Sequence, residues 1–221
     1  MHVTHRFVII QTLTNWFRYA ISSIMTRGPD KQFDPEIALE KAMHLFWAKG
    51  YAATGLKELL QTMEIGRKSL YDTFGNKRGL YMMALDLYSR TVVSEIRQRL
   101  TDPSRAALEN VRAVMLEFAS DNAEPMSPGC LLGVSMAQFR TDDTEMAKAL
   151  RNHMKRVEGA YHAAFSKAQT EGDLKPTTNV RDLARLFMSA HQGLTLIGRV
   201  TDAPEVPRGI VNGALAVLET A

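Results

Sequence analysis

Residues 54–77 read TGLKELLQTMEIGRKSLYDTFGNK, which scans as two short amphipathic helices joined by roughly four residues. Thr54 stands where it can cap the first helix, and Leu56, Leu59, Leu60 and Met63 follow at i, i+3, i+4 and i+7. A turn falls near Glu64. The second helix is predicted over about Arg67–Thr73, with Phe74 closing it. Its start is polar and basic (Arg67, Lys68, Ser69), while Ile65, Leu70 and Phe74 are spaced to pack inward. Two short helices at this spacing can present the second one to the major groove of DNA. The free N–H groups at its N-terminus point toward phosphate and add to the basic side chains. Tyr71 can reach a backbone phosphate through its hydroxyl while its ring packs on the scaffold.

Outward from this stretch, Asp34-Pro35 is an N-cap followed by proline at the first helical position. Ala38, Ala42, Leu45 and Phe46 make one apolar face, and Gly50 stops the helix. On the other side Asn76 caps a long helix that runs through Tyr88 and Ile96 to about Leu100. Three short helices followed by a long one match a helix-turn-helix head of about 50 residues. Thr101-Asp102-Pro103-Ser104 is a break, and five further helices are predicted near 104–121, 129–140, 143–171, 179–200 and 205–220. No run of period-2 alternation suggests a strand. The chain reads as all-α.

Charge divides along the chain. Residues 1–80 carry 11 Lys/Arg against 7 Asp/Glu, and residues 81–221 carry 16 against 17. A basic head on a near-neutral body fits an anionic partner for the head. At 45 % hydrophobic and 23 % charged, the 221 residues have ordinary globular composition. The single cysteine excludes an intrachain disulfide framework and fits a reducing cytoplasm. No apolar run reaches the roughly 18 residues of a membrane span. In residues 1–24, Phe7, Ile10, Phe17, Ile21 and Ile24 fall roughly on one helical face, without the small-residue cleavage site of a signal peptide. Residues 1–32 are expected to be an extension or basic arm, with Met25 the preferred true start of translation.

The stretch FDPEIALEKAMHLFWAKGYAATGLKELLQTMEIGRKSLYDTFGNKRGL resembles the N-terminal domain of TetR/AcrR-type transcriptional regulators. The matching residues are Ala42, Phe46, Gly50-Tyr51, Thr54, Leu59, Ile65, Ser69, Leu70-Tyr71, Phe74, Lys77 and Leu80, within about residues 33–82. The resemblance implies a two-domain, all-helical homodimer with a helix-turn-helix head at 33–80 and a helical body at 81–221. It implies heads bound to a palindromic operator in double-stranded DNA and a body whose small-molecule effector releases them. By position, Thr54, Arg67, Lys68, Ser69, Tyr71 and Lys77 match residues that touch DNA in such proteins. The long helix from Asn76 would be the switch: the heads must meet half-sites about 34–36 Å apart, so a small tilt ends binding. Two positions depart from the pattern. Glu64 stands where the turn usually has glycine, costing about 1 kcal/mol, and Gly66 replaces a side-chain cap at a cost of about a few tenths of one. A rival reading is a helical ligand- or partner-binding protein whose head no longer binds specific DNA. Lys41, Lys49, Lys57 and Arg78 read as plain surface charge.

The body shows no GxSxG, HExxH or phosphate-cradling glycine loop, so no enzyme, metal or cofactor is expected. His153, His162 and His191 read as core or surface histidines, and Asp142-Asp143 as a helix cap. Met115, Phe118, Cys130, Met136, Phe139, Met154, Phe165, Met188 and His191 are candidates to line an adaptable effector pocket, against the simpler role of core packing. Cys130 follows Pro128-Gly129 at a predicted helix start, where the dipole would lower its thiol pKa and suit it to sensing oxidants or electrophiles. A small buried residue at a helix start is the structural alternative. Leu183, Leu186, Phe187, Ala190, Leu194 and Ile197 form an apolar stripe, joined by Ile210, Leu215 and Leu218, that is expected to make the dimer interface. The same stripe also suits intrachain core.

Overall fold

The computed structural model describes residues 33–121, 129–139 and 142–221. The expectations for residues 1–32 lie outside the described residues. Helix α1 (Pro35–Lys49) starts at its proline. It buries Ala38, Ala42, Met43 and Phe46, so Met43 rather than Leu45 completes the inner face. Helices α2 (Leu56–Met63) and α3 (Arg67–Phe74) follow. Gly55, not Thr54, occupies the cap position of α2 and makes no side-chain cap bond. Leu59 and Met63 from α2 and Leu70 and Phe74 from α3 close the head's core on α1.

The turn between them forms despite its non-glycine residue. Glu64 is left-handed at φ 58° and ψ 39°. Its N–H donates to the Gln61 carbonyl at 3.2 Å, and the Ile65 N–H donates to the Leu60 carbonyl at 3.2 Å. These bonds satisfy carbonyls that the helix end would leave open. The Glu64 carboxylate reaches back to Lys41 Nζ at 2.9 Å, which ties the strained residue to α1.

Helix α4 (Lys77–Leu100) is the spine shared by head and body. The Asn76 side chain accepts the Gly79 N–H at 2.9 Å and caps it, as expected. Around it stand α5 (Ala107–Asp121), α6 (Leu131–Gln138), α7 (Thr144–Glu171), α8 (Val180–Ile197) and α9 (Glu205–Ala216), then a short 3-10 turn. Each of these five helices lies within two or three residues of its predicted start. The largest shift is α5, which begins at Ala107 because Ser104 instead donates its N–H to Asp102 Oδ1 in a local turn. Cys130, Asp143 and Asn179 cap α6, α7 and α8 through their side chains. Helix α7 packs on α4, α5 and α8, and α9 packs on α5 and α8. The body's core centres on Ile96, Val111, Met115, Tyr161, Phe165, Phe187 and Leu194. No strand occurs among the described residues.

Because the Asn76 carboxamide holds an otherwise open donor of α4, Asn76→Ala should lower the unfolding free energy by about 1 kcal/mol. Urea denaturation followed by circular dichroism checks this, and an unchanged midpoint would contradict the cap.

Candidate nucleic-acid interface and buried ligand core

Helix α3 turns Leu70 and Phe74 into the head and leaves Arg67, Lys68 and Tyr71 exposed. Ser69 is half-buried beside them. Ion pairing sorts the head's cations. Lys41 is held by Glu64, Lys49 by Glu58, and Arg78 by Asp143 and Glu145. Arg67 and Lys68, like the exposed Lys57 on α2, make no ion pair with any described residue. They remain available to an external anion. Lys77 is half-buried with its ammonium 4.4 Å above the Tyr51 ring, and burial lowers its pKa. The ring supplies favourable charge where the helix N-terminus does not.

Thr54 does not belong to this face. It is fully buried, and its hydroxyl donates to the Gly50 carbonyl at 2.7 Å. Thr54 is therefore too enclosed to touch DNA directly, contrary to the expectation from the sequence. Its hydroxyl satisfies the end of α1. Arg78 is likewise no plain surface charge. Its guanidinium donates to both Asp143 oxygens at 2.6 and 2.8 Å and to Glu145 at 3.0 Å. These contacts raise the Arg78 pKa and lower that of Asp143. The fork joins the first turn of α4 to the first turn of α7, a long-range pairing that no local pattern announces.

The body brings several of the expected pocket residues together. Met115 and Phe165 are fully buried, Met188 nearly so, and Phe118 and Met154 pack against the same core. His191 joins them: its ring centroid lies 4.0 Å from that of Phe118, and its Nδ1 is 3.3 Å from the Tyr161 hydroxyl. The Tyr161 hydroxyl also lies 3.4 Å from Met115 Sδ. Burial drives His191 down to about 3, with the nearby His153 adding to the shift. Burial, helped by Arg156, drives His153 down to about 4. Both imidazoles are thus neutral near pH 7.

Ser89 Oγ accepts from Arg156 Nη1 at 3.0 Å and lies 3.1 Å from His153 Nδ1. A guanidinium can only donate, so the serine proton is free to go to Nδ1, which leaves Nε2 of the neutral ring as the N–H. That Nε2 is buried and has no hydrogen-bond partner among the described residues, and neither has Gln192 Oε1. Such atoms are uncommon in folded proteins.

Two pocket candidates sit elsewhere. Phe139 packs on Tyr51 and Tyr81 at centroid distances of 5.4 and 5.7 Å, so it belongs to the head's aromatic cluster. Met136 is half-buried on the short α6. Cys130 is buried, and burial raises its thiol pKa despite hydrogen bonds from Gly133, Tyr88 and Gln192. It is the N-cap itself, its sulfur accepting the Gly133 N–H at 3.4 Å. Desolvation outweighs the helix dipole, which overturns the expectation of an activated thiolate.

Most of the expected dimer stripe is also internal. Leu183, Phe187, Leu194 and Leu215 are buried in the chain's own core, and Ala190 packs against it. Of the stripe, Leu186 and Ile197 are exposed, at 42 % and 37 %. Leu196, Val200, Val206 and Val217 are exposed as well.

The residues hardest to see in sequence are those that join head to body. Trp47 Nε1 donates to the Gly129 carbonyl at 2.8 Å, and the Trp47 ring meets Tyr88 edge-on at 5.2 Å. The Tyr81 hydroxyl pairs with Ser135 Oγ at 2.7 Å. Gly129 has φ +66°, and a Cβ there would stand 2.3 Å from the Thr195 carbonyl oxygen. Only glycine fits between α8 and the start of α6.

In the folded protein Cys130 should resist iodoacetamide near neutral pH and react once denaturant exposes it. Mass spectrometry of the quenched reaction measures this, and rapid alkylation of the folded chain would contradict its burial.

Among the described residues, no group of three or more His, Cys, Asp or Glu could hold a metal ion, and no helix is long and apolar enough to cross a membrane. Residues 38–82 match the family model for bacterial regulatory proteins of the tetR family, and residues 106–213 match that for the tetracyclin repressor-like C-terminal domain. The chain is 29 % identical over 194 residues to the uncharacterised HTH-type transcriptional regulator YezE of Bacillus subtilis, covering 87 % of this chain and 100 % of that one. It is 28 % identical over 177 residues to the HTH-type transcriptional repressor ComR of Escherichia coli, covering 79 % and 83 %. Among solved structures, a cysteine-substituted form of the TetR-family regulator CifR, complexed with 26-base-pair operator DNA, superposes with a TM-score of 0.74 at 27 % identity, covering 86 % of this chain and 98 % of that one. With its exposed basic recognition helix on an all-helical body, the chain belongs to the TetR family of DNA-binding transcriptional regulators.

Proposed function

We propose that the chain is a homodimeric repressor that seats α3 in the major groove of a palindromic operator and is released by a small molecule held in its body. The observation that carries the DNA contact is the sorting of charge. Ion pairs occupy Lys41, Lys49 and Arg78, while Arg67 and Lys68 stand exposed at the start of a helix whose apolar side is buried. Ser69, Tyr71 and Lys77 flank them as phosphate contacts. The relative ComR is named a repressor, and the CifR structure carries operator DNA. Both support the reading. The chain divides by task into a DNA-binding head at 33–80 and a sensing and dimerising body at 81–221. It binds and releases without a chemical step, and DNA as partner puts it in the cytoplasm.

The ligand reading is supported by the body's interior. An unpartnered buried polar atom costs about 1–3 kcal/mol, and His153 Nε2 and Gln192 Oε1 are two such atoms, on the two helices α7 and α8 that also carry Tyr161 and His191. A bound molecule would supply the missing partners. Its arrival would shift α6, whose ends touch the head through Gly129–Trp47 and Phe139–Tyr51. Dimerisation is assigned to the exposed face of α8 and α9. Leu186, Ala190, Gly193, Ile197 and Val200 recur at alternating steps of four and three, the spacing of a helix–helix seam. Gly193, Gly209 and Gly213 have open space where a Cβ would stand, so partner helices can approach closely.

Arg67→Ala and Lys68→Ala should weaken binding to the intergenic DNA beside the protein's own gene without changing its melting temperature. A base contact is worth about 1–3 kcal/mol, and a phosphate contact lowers the salt slope by about one. Anisotropy titrations at several salt concentrations measure both, and unchanged binding in both variants overturns the assigned face. Ile197→Glu and Val200→Glu should yield folded monomers in sedimentation experiments. Dimers that persist in both would move the interface elsewhere.

A further inference from the structure

The recognition helix carries one side chain that a cationic DNA face does not explain. Helix α3 buries Leu70 and Phe74. At about 100° per residue, the side opposite these two holds Lys68 and Asp72, four positions apart, and both are exposed. The other carboxylates of α2 and the turn are engaged, Glu58 by Lys49 and Glu64 by Lys41. Asp72 has no such partner among the described residues, Lys68 included. A free carboxylate therefore projects from the middle of the helix face that would enter the groove.

Between two rows of phosphates a carboxylate is repelled unless it meets a hydrogen-bond donor. The donors on the major-groove edges of bases are the amino groups of cytosine and adenine. Adenine sets its N7 acceptor beside its amino group, and a carboxylate, which only accepts, is repelled by that atom. Cytosine sets a C–H edge there instead. The Lys68 ammonium, one turn earlier on the same side, offsets the repulsion from phosphate.

We propose that Asp72 is a specificity-determining residue that accepts a hydrogen bond from a cytosine amino group at one position of each operator half-site. The inference rests on the assignment of α3 to DNA. It explains an acidic residue at the centre of a basic surface, and it fixes which base edge that residue can tolerate.

The test is selection of duplexes from a randomised pool by the full-length wild type, Asp72→Asn and Asp72→Ala, with circular dichroism to confirm that all three fold. Wild-type protein should enrich cytosine at one position mirrored in the two half-sites and discriminate against the other bases there by about tenfold. Asp72→Asn, which can donate as well as accept, should move the preference at that position to adenine. Asp72→Ala should relax it, and the other positions should stay as selected by wild type. Asp72→Ala that keeps the same cytosine preference overturns the proposal. So does a uniform gain in affinity across all sequences, which would make Asp72 a source of phosphate repulsion alone. Wild type that enriches no duplex overturns the DNA-binding assignment and this inference with it.

Discussion

The structure turns on the burial of Tyr81. Its ring is fully buried, 4.8 Å from the rings of both Phe46 and Tyr51, and 5.7 Å from that of Phe139. Its hydroxyl is satisfied by Ser135 at 2.7 Å, as a buried phenol requires. Head residues, the first half of α4 and the end of α6 thus share one aromatic core. The head is not a bead on a linker. Residues 35–221 pack as a single contact unit, and any movement of α6 is felt where α1 ends. Close packing makes such a junction respond in discrete steps rather than by smooth deformation.

Charge is arranged around that junction with the same economy. Arg78 forks onto Asp143 at one end of α7 and holds the α4 entry against the body. Lys41 restrains the left-handed Glu64, so the departure from glycine costs backbone strain but wins a tether to α1. What remains unpaired at the start of α3 is the pair of cations that faces outward. In the body the same logic runs in reverse. His153 and His191 are kept neutral by burial, and the sulfur of Cys130 is enclosed by Tyr88, Gly133 and Gln192. The interior is therefore suited to hydrogen bonding and packing rather than to thiolate chemistry.

Much of this was legible in the sequence. Pro35, Asn76, Asp143 and Asn179 announce helix starts because capping and proline geometry are local properties of the chain. The left-handed turn at Glu64 followed instead from the resemblance to TetR-type heads, which usually hold glycine at that position. The outward placement of Arg67, Lys68 and Tyr71 followed from the inward spacing of Leu70 and Phe74. Where reading failed, the failure was one of partners. Thr54 looked like a cap and a DNA contact, yet its hydroxyl is spent on the Gly50 carbonyl. Leu183, Phe187 and Leu194 looked like an interface, yet α5, α7 and α9 cover them.

The sequence by itself determined the helices, their caps, the basic recognition helix and the family, because periodicity and capping act over a few residues. Only the tertiary structure decided which apolar stripe lies inside and which faces out, since a helical face is the same in sequence whether its cover comes from its own chain or another. It also decided that Arg78 is bound, that Phe139 serves the head, and that Cys130 is desolvated. Those outcomes depend on groups far away in the chain, such as Asp143 for Arg78 and Tyr51 for Phe139, and dielectric and pairing are properties of the packed neighbourhood.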